Sequence, residues 1–299
     1  MGGDLEQLEQ GPGLGLPASA SAKKPRSQTV DRDDIRTYGL DYVHFCQKVK
    51  KLTSIDLESY KGQQMHRRLE SYRSRNGMPD FTSLANSVQR DPAKLRALVD
   101  FLTINVSEFF RNPDQWKVLR EKVLPALIHQ GGGIKAWSAG SSAGQEAYTL
   151  AITLCEAGAV GSTVLGTDID EPSLKKAEAA VYTKEEVAGI PRSLLVKYFV
   201  PDGTGYLANE TLRKMVSFRR KNLLSDQYPS GLDLVMCRNV LIYFTDKGKN
   251  QVIAGLANSL REGGVLFTGA TEAIFNPGMF GLVQMQPFFY RRLATRDGR

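Results

Sequence analysis

The sequence is poor in the side chains that form covalent cross-links and metal sites. Its 299 residues include only three cysteines, Cys46, Cys155 and Cys237, and three histidines, His44, His66 and His129. The cysteines are far apart and never show the C-x-x-C spacing, so neither a disulfide framework nor a thiolate metal site is expected. The histidines are equally scattered, whereas a catalytic zinc usually needs two or three ligands at close spacing. We therefore predict that no metal is bound.

Long apolar runs and a leader-like N-terminus are also lacking. No run of about 18 apolar residues is present, so a transmembrane helix is not expected. The chain does not begin with basic residues followed by an apolar stretch, which argues against a secretory signal. These two absences predict a cytoplasmic protein without direct membrane insertion.

Acidic residues are outnumbered by basic ones. The chain has 39 lysines and arginines against 32 aspartates and glutamates, which gives a formal net charge of +7. Such an excess is compatible with a nucleic acid, an anionic surface or an acidic protein as the partner. The position of the charges must decide between these three classes.

Hydrophobic patterning divides the chain into four parts. Residues 1–33 are rich in Gly, Pro, Ala and Ser with few large apolar residues, and are predicted to be a disordered tail. Residues 34–99 repeat apolar side chains at steps of three and four, which predicts a helical N-terminal domain. Residues 100–130 are interpreted as a linker. From residue 131 to 299, short apolar runs alternate with helical patterns, which indicates an α/β domain with a parallel sheet.

The α/β part contains five candidate strands, at residues 134–137, 163–166, 232–236, 264–267 and 287–291. We expect the last one to pair in the antiparallel direction. Residues 181–218 form a longer stretch than a simple crossover helix requires. This stretch is predicted to be an inserted β-subdomain of short antiparallel strands.

Ligands of open α/β sheets bind at the carboxyl ends of the strands, which directs attention to the residues that follow each strand. The first candidate strand runs into the small-residue loop 138–146, which lacks the G-x-G-x-x-G spacing of a dinucleotide site. A plain tight turn is the alternative interpretation of this loop. Asp168 ends the second strand, where a carboxylate can accept hydrogen bonds from both ribose hydroxyls, and Asp170 precedes Glu171-Pro172 as a helix cap. This combination favours S-adenosylmethionine over NAD.

The third strand ends in the polar pair Arg238-Asn239. A polar pair that emerges from a buried strand is hard to explain as a solvated surface, so we interpret it as functional. Cys237 lies inside the apolar run, and core packing is a better interpretation than nucleophile. Residues 103–112 mix polar and aromatic side chains without periodicity, and taken alone they could be a docking surface between domains.

Together these segments resemble the chemotaxis receptor glutamate methyltransferases, the CheR family. The family's TxNxTxFFR signature is matched at residues 103–111, with Ser107 for the second Thr, and its WSAxxSxGEEPY signature at residues 137–148. The D-I-D, N-L-L and C-R-N-V-x-I-Y-F signatures fall at residues 168–170, 222–224 and 237–244. The resemblance covers about residues 40–291. It departs where the family's GEEP is replaced by Gly144-Gln145-Glu146-Ala147 and the preceding Thr by Ala143.

The resemblance implies a Rossmann-like S-adenosylmethionine-dependent methyltransferase domain with a small inserted antiparallel β-subdomain, preceded by a small all-α domain that recognises the receptor. The implied reaction transfers a methyl group from S-adenosyl-L-methionine to glutamate side chains of a chemoreceptor and leaves S-adenosyl-L-homocysteine. A carboxylate is already ionised at neutral pH, so no general base is required. The implied partner is the cytoplasmic helical domain of membrane chemoreceptors rather than nucleic acid, and the protein is expected to be a monomer.

The resemblance and the residue patterns together predict the site residues. The cofactor-binding set is Asn105, Ser107, Arg111, Glu146, Asp168, Asn222, Leu223, Arg238 and Asn239, and the catalytic pair is Arg111 and Tyr243. The segment 61–75 combines five basic residues with one acid, which predicts a basic helix face that attracts a glutamate-rich receptor helix. The basic residues are Lys61, Arg67, Arg68, Arg73 and Arg75. An ordinary solvated face is the alternative.

Two other functions remain open at this stage. The basic charge is compatible with an RNA methyltransferase, although Arg238-Asn239-Val240 stands where enzymes that methylate base amino groups carry a Pro-Pro-aromatic pattern. The replacements at Gln145 and Ala147 are compatible with a non-catalytic S-adenosylmethionine-binding interaction module.

Overall fold

A computed structural model describes residues 37–103, 107–128 and 133–294. The expected tail, residues 1–33, lies outside this range. The first described part is a bundle of four helices: α1 (Leu40–Thr53), α2 (Gly62–Arg75), α3 (Phe81–Arg90) and α4 (Pro92–Leu102). Phe45, Val49, Leu69, Leu84 and Leu98 share its buried core. Asp91 accepts hydrogen bonds from the backbone N–H groups of Ala93 and Lys94, which confirms the predicted helix start at Asp91-Pro92.

A helix follows where a plain linker was expected. Helix α5 (Pro113–Val118), a π-helical turn (Leu119–Val123) and α6 (Leu124–Ile128) form one continuous rod. Its residues Trp116, Leu119 and Val123 are buried in the core of the α/β part. Residues 113–128 therefore belong structurally to the sheet domain, since their apolar side chains pack on it.

The main sheet has seven strands in the order β6-β2-β1-β7-β8-β10-β9. Their bounds are β1 (Lys135–Ala139), β2 (Thr163–Asp168), β6 (Val216–Arg220), β7 (Leu232–Cys237), β8 (Leu260–Thr268), β9 (Leu282–Gln286) and β10 (Phe289–Arg292). The first five strands in this order pair in parallel, and β10 is antiparallel to both β8 and β9. The predicted parallel sheet with a final antiparallel strand is thus confirmed.

Helices cover both faces of this sheet. Alternate residues of β1 and β7 join two different cores: Ala136 and Leu234 pack with α7 (Gln145–Glu156), and Trp137 and Val235 pack with α11 (Asp246–Ser259). Helix α8 (Glu171–Ala179) connects β2 to the inserted region. This is the three-layer arrangement expected for a parallel sheet.

The inserted region contains a second, antiparallel sheet in the order β3-β5-β4. It comprises β3 (Val181–Tyr182), α9 (Arg192–Tyr198), β4 (Phe199–Asp202) and β5 (Gly205–Ala208), and α10 (Glu210–Met215) leads back to β6. The predicted inserted antiparallel sheet is present. Its expected range, residues 181–218, extends too far, because Val216 and Phe218 pair with β2 in the main sheet. Edge strand β6 carries exposed arginines, which obscured its strand pattern.

Candidate active site

One open cavity lies between the carboxyl ends of the main strands and the helical domain. Its empty space, counted together with its open mouth, is about 1330 Å³. The sheet side contributes loops after β1, β2, β6 and β7, and the helical side contributes residues from the α1–α2 connection, α2 and the end of α4. The predicted cofactor-binding and catalytic residues that line it are Ser107, Arg111, Glu146, Asp168, Asn222, Leu223, Arg238, Asn239 and Tyr243. Asn105 lies outside the described residues.

Asp168 is held at the cavity wall by backbone donors. Its Oδ2 accepts a hydrogen bond from Ser142 N at 2.8 Å, and its Oδ1 accepts one from Asp170 N at 3.0 Å. Burial raises the pKa of Asp168 above its ordinary value, while these N–H groups oppose the rise. Asp170 instead caps α8 by accepting a hydrogen bond from Ser173 N at 3.1 Å, so the predicted cap is confirmed.

Glu146 and Arg238 form a buried ion pair across the cavity floor. Glu146 Oε2 lies 3.3 Å from Arg238 Nη1, and Glu146 Oε1 accepts a hydrogen bond from Ser138 Oγ at 2.9 Å. Burial raises the pKa of Glu146, and the positive charge of Arg238 opposes this rise. The pair therefore keeps a carboxylate inside a poorly hydrated region of the site.

Arg238 also anchors the chain segment that carries Arg111. Its Nη2 donates to Arg111 O at 2.9 Å, to Asn112 Oδ1 at 3.2 Å and to Gln115 Oε1 at 2.8 Å. Its guanidinium also lies over the rings of Trp116 and Phe267. Both terminal nitrogens of Arg238 are thus engaged by protein groups, which gives this residue an organising role beside the ligand-binding role expected from sequence.

The turn that carries Tyr243 is joined to the helical domain by backbone hydrogen bonds. Lys61 N donates to Tyr243 O at 3.0 Å, and Thr245 N donates to Ser59 O at 2.8 Å. The Tyr60 ring packs on Phe244 with centroids 5.2 Å apart. Burial raises the pKa of Tyr243, and the positive charges of Arg68 and Arg111 oppose the rise. A residue from each domain therefore acts electrostatically on one hydroxyl.

Asn222 makes a second connection between the domains. Its Nδ2 donates to Ser54 O at 2.9 Å, and its Oδ1 accepts a hydrogen bond from Leu224 N at 2.9 Å. The neighbouring Leu223 is buried and presents an apolar wall to the cavity.

The basic residues of the segment 61–75 do not share one face. Lys61 and Arg68 line the cavity, and Arg67 and Arg75 are exposed. Arg73 turns away and donates from Nε to Glu70 at 3.1 Å and from Nη1 to Pro79 O at 2.7 Å. An α-helix turns about 100° per residue, so five residues separate Arg68 from Arg73 by about 140°. The expectation of a single basic face is therefore wrong for Arg73.

Sequence reasoning missed two groups of residues around the cavity. Tyr60 and Met65 close it from the helical side, and no local pattern in the sequence indicated this. Glu272 lies behind it, buried, and follows β8. Examining the end of β8 by the rule applied to the first three strands would have found Glu272.

The residues present fit S-adenosylmethionine, the cofactor that the resemblance implies. The Asp168 carboxylate can accept hydrogen bonds from a ribose, the Glu146 carboxylate can face an ammonium group, and Leu223 and Ile169 offer apolar surface for a purine. Across residues 37–103, 107–128 and 133–294, no cluster of three or more His, Cys, Asp or Glu could hold a metal ion. Nor is any helix in those ranges long and apolar enough to cross a bilayer.

Comparison with known proteins gives consistent results over both parts of the chain. Residues 40–103 match the family described as CheR methyltransferase, all-alpha domain, and residues 105–289 match the CheR methyltransferase SAM-binding domain. A chemotaxis protein methyltransferase of Listeria innocua is 38% identical over 252 residues, covering 84% of this chain and 96% of that protein. Chemotaxis protein methyltransferase 1 of Pseudomonas aeruginosa is 34% identical over 262 residues, covering 83% and 95%.

Solved structures add little to this result. A TehB-like SAM-dependent methyltransferase from Corynebacterium glutamicum is 17% identical, and the match covers 60% of this chain and 93% of that chain. Its TM-score of 0.34 is too low to support a functional assignment. The assignment rests on the family matches and the curated relatives. The chain belongs to the CheR methyltransferase family, and it is a methyltransferase that uses S-adenosylmethionine as its cofactor.

Proposed function

We propose that this enzyme methylates glutamate side chains in the cytoplasmic helical domain of chemoreceptors, and that it acts in the cytoplasm. The observation that carries the proposal is that basic and acidic side chains line one cavity. Lys61, Arg68 and Arg111 line it, and the positive charges of Arg68 and Arg111 act on the Tyr243 hydroxyl. The carboxylates of Asp168 and Glu146 line the same cavity. An anionic acceptor suits the basic side chains, and a cationic nucleoside cofactor suits the carboxylates.

The relatives support the same substrate class. Those from Listeria innocua and Pseudomonas aeruginosa are described as chemotaxis protein methyltransferases, and their alignments cover nearly their whole lengths. A glutamate of a chemotaxis receptor is a negatively charged methyl acceptor, and its charge is complementary to the basic side chains that line the cavity.

The proposed chemistry makes few demands on the protein side chains. S-adenosylmethionine, when bound, supplies a methyl group on a sulfonium, so that an oxygen lone pair of the acceptor carboxylate forms the ester bond as the C–S electron pair returns to sulfur. The acceptor is ionised at neutral pH, and the enzyme needs no general base. Arg111 and Arg68 attract and orient the carboxylate, and the Tyr243 hydroxyl, whose pKa is raised, keeps its proton and donates a hydrogen bond. Orientation of this kind can contribute roughly 7 to 11 kcal/mol in favourable cases.

For the cofactor, Asp168 would accept hydrogen bonds from the ribose hydroxyls, and Glu146 would face the ammonium group of the methionine part. Asn222 and Leu223 would border the adenine. Ser107, Asn239 and Asn105 complete the proposed set, and Arg238 contributes by holding Glu146 and the Arg111 segment.

Methyl-labelled S-adenosylmethionine tests the proposal when it is incubated with the full-length protein and receptor-containing membranes, with and without RNA. We expect label on the receptor that is released by mild base, because a carboxyl ester is base-labile. Membranes carrying a receptor whose candidate glutamates are replaced by alanine are the matched control and should take up no label. Label on RNA, or base-stable label on protein, would contradict the proposal.

A further inference from the structure

Glu272 is a buried acid behind the cavity, and the cavity lining does not include it. Its carboxylate accepts three backbone hydrogen bonds. Oε2 accepts from Asn239 N at 2.6 Å and from Gly269 N at 3.0 Å, and Oε1 accepts from Ile242 N at 3.1 Å. One side chain therefore connects the loop after β8 to the loop after β7, which carries Asn239 and Tyr243.

The loop after β7 needs such a partner. Asn239 has a φ of +60°, in the left-handed region, which is uncommon for non-glycine residues although asparagine adopts it more readily than most. The short 3₁₀ helix Leu241–Tyr243 begins after Val240, which has no side-chain oxygen to cap it. The first N–H groups of a helix have no partner within the helix, and Ile242 N is one of them. Glu272 supplies the missing acceptor from another part of the chain.

Gly269 lies directly against the Glu272 carboxylate. A Cβ on Gly269 would lie 2.4 Å from Glu272 Oε2 and 2.9 Å from Asn239 N. A side chain at position 269 would therefore force the Glu272 carboxylate or the Asn239 loop to move. On its other side, the Tyr243 turn is joined to the helical domain through Lys61 N. The turn is thus held from two directions, and Glu272 provides the contact within its own domain.

We propose that Glu272 is a positioning residue for methyl transfer: it fixes the Asn239–Tyr243 turn at the cavity and thereby places the Tyr243 hydroxyl. The catalytic part of this inference rests on the function proposed above, in which Tyr243 orients the acceptor. The conformational part does not, because the three hydrogen bonds exist whatever the acceptor is.

The variant Glu272→Gln tests the conformational part without any methyl acceptor. An amide has nearly the same shape, but its NH₂ group must face at least one of the three N–H donors, so the turn loses hydrogen bonds. We expect faster amide hydrogen exchange at residues 239–243 and 269, with exchange in the rest of the sheet unchanged. Glu262→Gln, an exposed acid in β8, is the matched control. Unchanged exchange at the turn, or faster exchange throughout the protein, would overturn the positioning role.

A double-mutant cycle tests the catalytic part. Glu272→Gln alone should lower kcat for receptor methylation by about tenfold, with a smaller change in the receptor KM. If Glu272 acts through Tyr243, the same substitution should have almost no further effect in a Tyr243→Phe background. Equal losses in both backgrounds would show that Glu272 does not work through Tyr243.

Gly269→Ala provides a second variant that leaves the acid in place. The added Cβ pushes the Glu272 carboxylate away from Asn239 N, so the same local exchange and the same dependence on Tyr243 are expected. A failure of receptor methylation in the unmodified enzyme would refute the proposed substrate, whereas the exchange experiment would still decide the role of Glu272.

Discussion

At the residue scale, Asp168 is the last residue of β2, and it lines the cavity. We expect Asp168→Ala to weaken the binding of S-adenosylhomocysteine by roughly tenfold to a hundredfold, because a hydrogen bond to a charged group contributes roughly 1.5 to 3 kcal/mol. Titration calorimetry measures this change directly. Asp202→Ala, an exposed acid of the inserted sheet, is the control and should bind normally. An unchanged affinity in the Asp168 variant would remove this residue from the site.

Arg111 lines the same cavity, and its charge opposes the rise in the Tyr243 pKa. In the proposed function it orients the acceptor carboxylate. Arg111→Ala should therefore lower kcat by about tenfold or more and lower cofactor affinity by less. Steady-state kinetics with calorimetry separates the two effects, and Arg120→Ala, an exposed arginine paired with Glu121, serves as the control. A loss of cofactor affinity with kcat unchanged at saturating cofactor would assign Arg111 to cofactor binding alone.

At the element scale, α2 has basic side chains with two different functions. Arg73 is bound to Glu70 and to the Pro79 carbonyl, so Arg73→Ala should lower Tm by a few degrees. Arg67 and Arg75 are exposed instead, and the double Ala variant should keep its Tm. It should instead raise the receptor KM a few-fold and reduce the salt dependence of KM, because exposed charge pairs contribute only roughly 0.2 to 1 kcal/mol each. Wild-type KM at low salt in this variant would mean that α2 is only a solvated face.

At the scale of the whole molecule, the two domains share one binding site. Residues 55–68 of the helical side face the cavity, and the hydrogen bonds from Lys61 N and Asn222 Nδ2 join the domains at its rim. A ligand that touches both sides should stabilise their association and the fold together. At a concentration of 100 times Kd, the ligand adds about 2.7 kcal/mol to the free energy of unfolding.

We therefore expect S-adenosylhomocysteine to slow amide exchange in residues 55–68 as well as in the loops after β1 and β2. Hydrogen exchange with and without the ligand measures this effect. The Asp168→Ala variant at the same ligand concentration is the control and should show less protection in both regions. Protection confined to the sheet loops would show that cofactor binding is independent of the helical domain.

The sequence alone was sufficient for features that depend on short-range patterns. Strands β1, β2 and β7 were predictable because buried parallel strands are nearly continuous apolar runs. The caps at Asp91 and Asp170 depend on a side chain and an N–H group two or three residues away. The family signatures lie in these same strand-to-helix connections, so they identified the cavity-lining residues Asp168, Glu146 and Tyr243.

Only the tertiary structure decided the features that depend on residues distant in the chain. Edge strands β6 and β9 are partly exposed and have no clear apolar pattern, so their pairing determines their assignment. Glu272 contacts Asn239 across 33 positions, and Arg238 reaches Arg111 across 127. Composition and periodicity describe neighbours along the chain, whereas these contacts arise when the sheet brings separate strand ends to one edge and the helical domain packs over it.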